Sequence, residues 1–267
     1  MFFDKKFYFL SGIPRSGNTL LGSILNQNKE ISVSSNSIVS EMLYRVDLCE
    51  NEDRSKNFYD PKSHYNVCKN IIPNYYSNWK SKVIIDRSPW GTLDNLNLLK
   101  KYSPNEIKII VLLRDIEEVL ASFIKWSQEN PGNFLDDYST IEEKCDYLIQ
   151  SHGMIHHSLG SVHNLLKEEN RKYALFLTYD DLVSKTPEVI EKIYKFLKIK
   201  SYKHNFNRLG QLKANNVAYD DSIHGNNLHK VKENGITKTS YSPEDYIPRK
   251  VLEKYSVFNF WKKMNLE

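Results

Sequence analysis

Short apolar runs interrupt an otherwise polar chain at residues 7–11, 82–85, 107–113 and 173–178. Each is brief and lacks polar alternation, the pattern of a strand buried on both faces of a parallel sheet, and the last follows a long helical stretch. Helix signals come after each run. Beyond Arg114, Asp115 stands where an N-cap belongs and Glu118 falls three residues later, while Val119, Leu120 and Phe123 form an apolar stripe at helical spacing. Glu117 and Glu118 also suit the positive end of that helix. Further on, Thr186 is placed to cap and Pro187 to take the first helical position, with Val189, Ile190, Ile193, Phe196 and Leu197 on one apolar face laid over a sheet. Strands alternating with helices predict an α/β fold in which a central, mainly parallel sheet lies between two helical layers. Ligands of such sheets sit beyond the carboxyl ends of the strands. From 200 to 248 the periodicity dissolves into polar text with turns at Gly210, Gly225, Gly235 and Pro243, which reads as a long active-site loop.

Composition narrows the function classes. With 267 residues, 40% apolar and 12% aromatic, the chain can close a large core, and one domain over 1–267 is expected. The formal charge of +4 is spread along the sequence, which argues for a small anionic ligand and against extended nucleic-acid binding. Cys49, Cys68 and Cys145 are odd in number and lack CxxC spacing, so they predict neither a disulfide framework nor a zinc site, and thiols at least partly buried are expected. His152 and His156 have the i, i+4 spacing of helical metal ligands without a third ligand, so no metal is expected. Asp4, Lys5 and Lys6 interrupt the opening segment before an apolar run can build, and the expectation is a cytoplasmic chain that meets no membrane.

The strongest chemical signal lies between the first strand and the first helix. Gly12, Ile13, Pro14, Arg15, Ser16, Gly17, Asn18 and Thr19 have the glycine spacing and terminal threonine of a P-loop, with Asn18 in the place of its lysine. Losing that lysine removes the cation that nucleoside triphosphatases set against the transferring phosphoryl group, whereas the backbone amides and helix end still form an anion nest. Arg15 offers the nest a rigid fork of donors. A sulfuryl group carries less charge than a phosphoryl group, so its transfer needs less neutralisation by a metal.

At this point the residues resemble a known family. The stretch 9–21, with its Pro14-Arg15-Ser16-Gly17 core, is similar to the 5′-phosphosulfate-binding loop of sulfotransferases that use 3′-phosphoadenosine 5′-phosphosulfate (PAPS). Residues 111–115, followed by Ser122 eight residues after Arg114, resemble that family's 3′-phosphate-binding strand and helix. An arginine leaving a strand and a serine two turns down the next helix can grip one phosphate on independent grounds. Residues 176–182 resemble its YEDL segment, which implies that Tyr179 contacts the nucleotide. The matches run in order over most of the chain and lie nearest to the tyrosylprotein and bacterial or phage-type branch. They imply a three-layer P-loop-type fold with PAPS as co-substrate. They also imply transfer of sulfonate to a hydroxyl or amine and release of adenosine 3′,5′-bisphosphate (PAP).

The resemblance also implies catalytic roles. Sulfonate transfer needs a base for the acceptor proton, a cation for the departing bridging oxygen, and alignment of the two. Arg87, at a strand end, matches a catalytic lysine of the tyrosylprotein enzymes and joins Arg15 in stabilising the transferring group. The family's glutamate base aligns with Asn36, which cannot accept the proton. Glu41, read as one turn further along the same helix, is the first choice in its place, with Asp86 and His224 behind it. Residues 220–232 resemble a segment of bacterial relatives that folds over the nucleotide, so Lys230 and Lys232 are expected against the 3′-phosphate. The strand-like run 83–86 imitates a Walker B motif and keeps a divergent P-loop kinase or NTPase open, and Asn36 keeps open a nucleotide-binding relative without catalysis. A sugar, phenol, peptide tyrosine or small metabolite all fit as acceptor.

Overall fold

The computed structural model describes residues 5–218, 220–223, 227–238 and 241–266. In chain order the elements are β1 (Lys6–Leu10), α1 (Asn18–Leu25), β2 (Ile31–Asn36), α2 (Val39–Leu48), α3 (Pro61–Tyr75), β3 (Val83–Arg87), α4 (Leu93–Tyr102), β4 (Ile109–Leu113) and α5 (Ile116–Glu129). There follow α6 (Ile141–Ile149), α7 (His156–Leu165), α8 (Glu168–Arg171), β5 (Ala174–Thr178), α9 (Tyr179–Ser184), α10 (Thr186–Leu197), a small hairpin of β6 (Lys213–Ala214) and β7 (Val217–Ala218), and α11 (Arg249–Tyr255).

The first five strands form one parallel sheet in the order β2-β3-β1-β4-β5. Alternate side chains of each strand enter opposite layers, so runs without polar alternation are what a doubly covered sheet requires. Phe7, Phe9, Ile84, Val111 and Leu113 pack with Trp90, Val119, Leu120 and Phe123 on one face. Tyr8, Leu10, Ile85, Ile110 and Leu112 pack with Leu21, Ile24, Ile190 and Ile193 on the other. The result is the expected three-layer α/β architecture. The chain builds β2 and β3 on one side of β1 and then crosses to build β4 and β5 on the other. That topology makes the carboxyl end of β1 a switch point and opens a crevice there.

Three local expectations are corrected. Residues 31–36 form an edge strand, so Asn36 ends β2 and Glu41 belongs to the separate helix α2. This strand has few apolar residues because its side chains find polar partners: Ser32 Oγ lies 2.7 Å from Ser81 Oγ, and Asn26 Oδ1 accepts from the Val33 amide. Asp115 makes no side-chain cap to α5. The Ile116 amide instead donates to Asn259 Oδ1 at 2.8 Å, Asp115 pairs with Lys262, and Glu118 pairs with Arg114. Thr186 lies inside α10, and its hydroxyl donates to the Leu182 carbonyl at 2.6 Å rather than capping the helix.

The polar stretch after α10 is pinned to the body. Gln211 brackets Val231, its Oε1 accepting from the Val231 amide at 2.9 Å and its Nε2 donating to the Val231 carbonyl at 2.8 Å. Val231 and Leu228 are both buried. Cys68 and Cys145 are buried free thiols, as expected, whereas Cys49 is exposed. No helix among the described residues is long and apolar enough to cross a membrane.

Candidate active site

A cleft of about 670 Å³ opens at the carboxyl edge of the sheet. Each strand end contributes to it. Asn36 ends β2 beside Arg87, which ends β3, and the loop after β1 lies between them and Arg114, which follows β4. Tyr179 follows β5 directly and lines the same space.

The loop at 12–19 is held by backbone bonds to β4, from Ser11 N to Ile110 O and from Ile13 N to Leu112 O. Two of its residues have left-handed backbone, Arg15 at φ 61° and Gly17 at φ 90°. Gly17 serves a second purpose, since a Cβ there would come within 3.2 Å of the Tyr179 ring and 3.0 Å of Leu182. Ser16 is buried and donates to the Ile13 carbonyl at 2.6 Å, so its hydroxyl stabilises the loop. Asn18 Nδ2 also donates to Ile13 O, at 2.8 Å, and Oδ1 is buried with no hydrogen-bond partner. Pro14, Gly17, Asn18 and Thr19 line the cleft.

Arginines stand at two places along the cleft. In the first, Arg15 Nε donates to Ser122 Oγ at 2.9 Å and its Nη1 to the Leu228 carbonyl. Arg114 is buried, donates through Nη1 to the Arg15 carbonyl at 2.8 Å, pairs with Glu118 at 2.9 Å and sits 4.1 Å over the Tyr179 ring. Arg15, expected against the phosphosulfate, has left-handed backbone and bonds Ser122 in this cleft. Burial lowers the Arg15 pKa from the usual guanidinium value, and neighbouring Arg114 adds to this effect. A cation drawn out of water in this way is stabilised by an anionic ligand.

The second place is Arg87. Its amide is fixed by Ser34 Oγ at 2.8 Å, and its Nη1 donates to Thr19 Oγ1 at 3.3 Å. From the late segment, Leu228, His229, Lys230 and Lys232 line the same cleft. Together these groups make the cleft cationic and suited to an anionic ligand.

The base candidates fare differently. Asn36 lines the cleft, while Glu41 does not; its carboxylate pairs with Arg45 at 2.5 Å on the outer surface of α2. Asp86 is buried behind Arg87, where it accepts from Ser37 Oγ at 2.6 Å, Trp90 Nε1 at 2.5 Å and the Tyr76 hydroxyl. Burial raises its carboxyl pKa. Caged in this way, Asp86 orders the β3 end and does not stand in the cleft as a Walker B acid would. His224 lies outside the described residues.

Sequence reasoning passed over His229, whose backbone amide and Nδ1 both bond to Asp221, at 2.9 and 2.6 Å. The only signal was an aspartate and a histidine eight residues apart in irregular text. Among the described residues no group of three or more ligating side chains is placed to hold a metal, and His152 and His156 gain no third partner.

A family model described as the sulfotransferase domain matches residues 5–264. No curated protein sequence matches the chain. Among solved structures, the sulfotransferase domain from the curacin biosynthetic pathway aligns with a TM-score of 0.58 at 14% identity, covering 98% of this chain and 99% of that one. Mouse sulfotransferase SULT7A1 complexed with PAP aligns with 0.57 at 15% identity, covering 98% and 84%. Retinol dehydratase in complex with androsterone and PAP aligns with 0.51 at 17% identity, covering 98% and 82%. At these identities the structures speak for the fold. The family match over nearly the whole length decides kinship, and the chain belongs to the sulfotransferase domain family.

Proposed function

We propose that the protein transfers the sulfonate group of PAPS to a hydroxyl or amine acceptor and releases PAP. The observation that carries this reading is the placing of three arginines on one cleft, Arg15 and Arg114 with Ser122 and, at the β3 end, Arg87 with Thr19 beside the loop. A donor with a 3′-phosphate and a 5′-phosphosulfate presents two separated anions, and an ordinary mononucleotide presents one.

In this reading Arg114, Ser122 and Arg15 hold the 3′-phosphate, and Tyr179 packs against the nucleotide. Lys230 and Lys232 add charge from above, and the segment 200–248 serves as a cover within one catalytic domain. The amides of Gly17, Asn18 and Thr19, at the amino end of α1, take the 5′-phosphosulfate, as helix ends do for anions. Arg87 lies where negative charge grows on the bridging oxygen. Being always protonated, it stabilises that charge without delivering a proton. The acceptor enters along the wall formed by Asn36, Ser37, Pro89, Met154 and His157. Retinol dehydratase bound to androsterone makes a small apolar alcohol a reasonable first probe of that wall.

A thermal-shift titration tests the donor site, because a ligand of the native state raises the melting temperature. PAP without metal is expected to stabilise the protein. Stabilisation by magnesium ATP alone would overturn the proposal in favour of a kinase or NTPase.

A further inference from the structure

The family's base position is occupied by Asn36, which faces the cleft but cannot take a proton, and neither Glu41 nor Asp86 reaches the cleft. His229 lines it within the field of both Arg15 and Arg87. It is 16% exposed, and Asp221, at 17%, holds it by two hydrogen bonds. We infer that His229, oriented by Asp221, is the general base that deprotonates the acceptor, an assignment that rests on the sulfonate-transfer reading above.

The geometry supplies what a base needs. Because Nδ1–H donates to Asp221, the neutral ring carries its lone pair on Nε2, the same orienting logic by which a carboxylate holds a catalytic imidazole in the useful tautomer. Three charged groups face this ring: Asp221 from its own segment, Arg15 from the loop after β1 and Arg87 from β3. Burial is the main influence and lowers the histidine pKa, both arginines add to that, and Asp221 opposes it. The ring is therefore neutral at physiological pH and able to accept. His157 also lines the cleft, but it is exposed and edge-on to His156, with no carboxylate set against it among the described residues.

The acceptor's O–H proton passes to Nε2 as its oxygen bonds to sulfur. The bond from sulfur to the bridging oxygen breaks, and its electron pair leaves on the 5′-phosphate of PAP. The imidazolium, steadied by Asp221, later returns its proton to solvent. With water as acceptor the products are sulfate and PAP.

Release of PAP from PAPS is measured for the full chain with two acceptors, water and 4-nitrophenol at a pH where it is already ionised. His229→Gln and His229→Asn are expected to lower transfer to water by about 10²- to 10⁴-fold. Transfer to the phenolate, which has no proton to give, should fall less than about tenfold, and PAP affinity should change less than about threefold. For wild type, kcat/KM should rise with pH through a pKa below the ordinary histidine value of 6.5 and level off above it, and this limb should vanish in both variants. Equal losses with both acceptors, a loss confined to PAP affinity, or undiminished transfer to water would overturn the assignment. If wild type neither binds PAP nor releases it from PAPS, the donor reading itself fails. If wild type does both and the variants match it, only the base assignment falls.

Discussion

The guanidinium of Arg114 sits 4.1 Å over the ring of Tyr179, and this contact joins the ends of β4 and β5 in the cleft. The same guanidinium also donates to the carbonyl of Arg15, so one side chain positions another cation while offering its own charge to a ligand. Hydrogen bonds between charged groups contribute about 1.5–3 kcal/mol. Arg114→Ala should therefore weaken PAP by about 10- to 150-fold and adenosine 5′-monophosphate by less than about threefold, as read by calorimetric titration. Equal losses for the two ligands would remove Arg114 from the 3′-phosphate.

Asn18 takes the place of a P-loop lysine and is buried among backbone groups meant for an anion. Asn18→Asp keeps the shape and adds a negative charge beside the proposed 5′-phosphate site. On electrostatic grounds PAP affinity should fall on the order of 100-fold or more. Asn18→Ser, which adds no charge, should lose far less in the same titration.

Gly17 combines a left-handed backbone with close approach to Tyr179 and Leu182. Gly17→Ala should cost about 1–2 kcal/mol from backbone conformation alone, with added loss from displacing the Tyr179 ring. Urea unfolding reads the first effect, and reduced PAP affinity in the folded variant reads the second.

Asp86 accepts from two buried donors, Tyr76 and Trp90, and from part-buried Ser37, which also bonds Ser88. Asp86→Ala takes this acceptor from both buried donors and should cost about 2–6 kcal/mol in chemical denaturation. The pH dependence has a definite sign. Because burial raises the folded pKa above 3.8, the native state holds this proton more tightly than the unfolded chain. Stability from this group therefore falls as pH rises from 3.8 toward the raised value. Asp86→Asn lacks that proton, so its stability relative to wild type should improve between pH 4 and pH 7.

Features carried by adjacent residues were the legible ones. The loop at 12–19 depends on glycine spacing and a strand-to-helix turn, and Arg114 and Ser122, which both line the cleft, lie on one helix and its entry, so their placement can be read along the chain. Strand β2 was not legible, because Ser32 and Ser34 are satisfied by Ser81 and the Arg87 amide, both remote in sequence. Asp115 has the local grammar of a cap, yet Asn259 supplies the bond from the far end of the chain.

The sequence by itself determined four of the five parallel strands, the doubly covered sheet and the glycine-spaced loop after the first strand, because burial periodicity and strand-to-helix turns are short-range properties. Tertiary structure decided where each charge points. It turned Arg15 toward Ser122, left Glu41 outside with Arg45, enclosed Asp86 behind β3 and set His229 on Asp221 within the cleft. Orientation and pairing of polar side chains depend on partners that only folding brings within hydrogen-bond reach, and residue spacing carries no record of them.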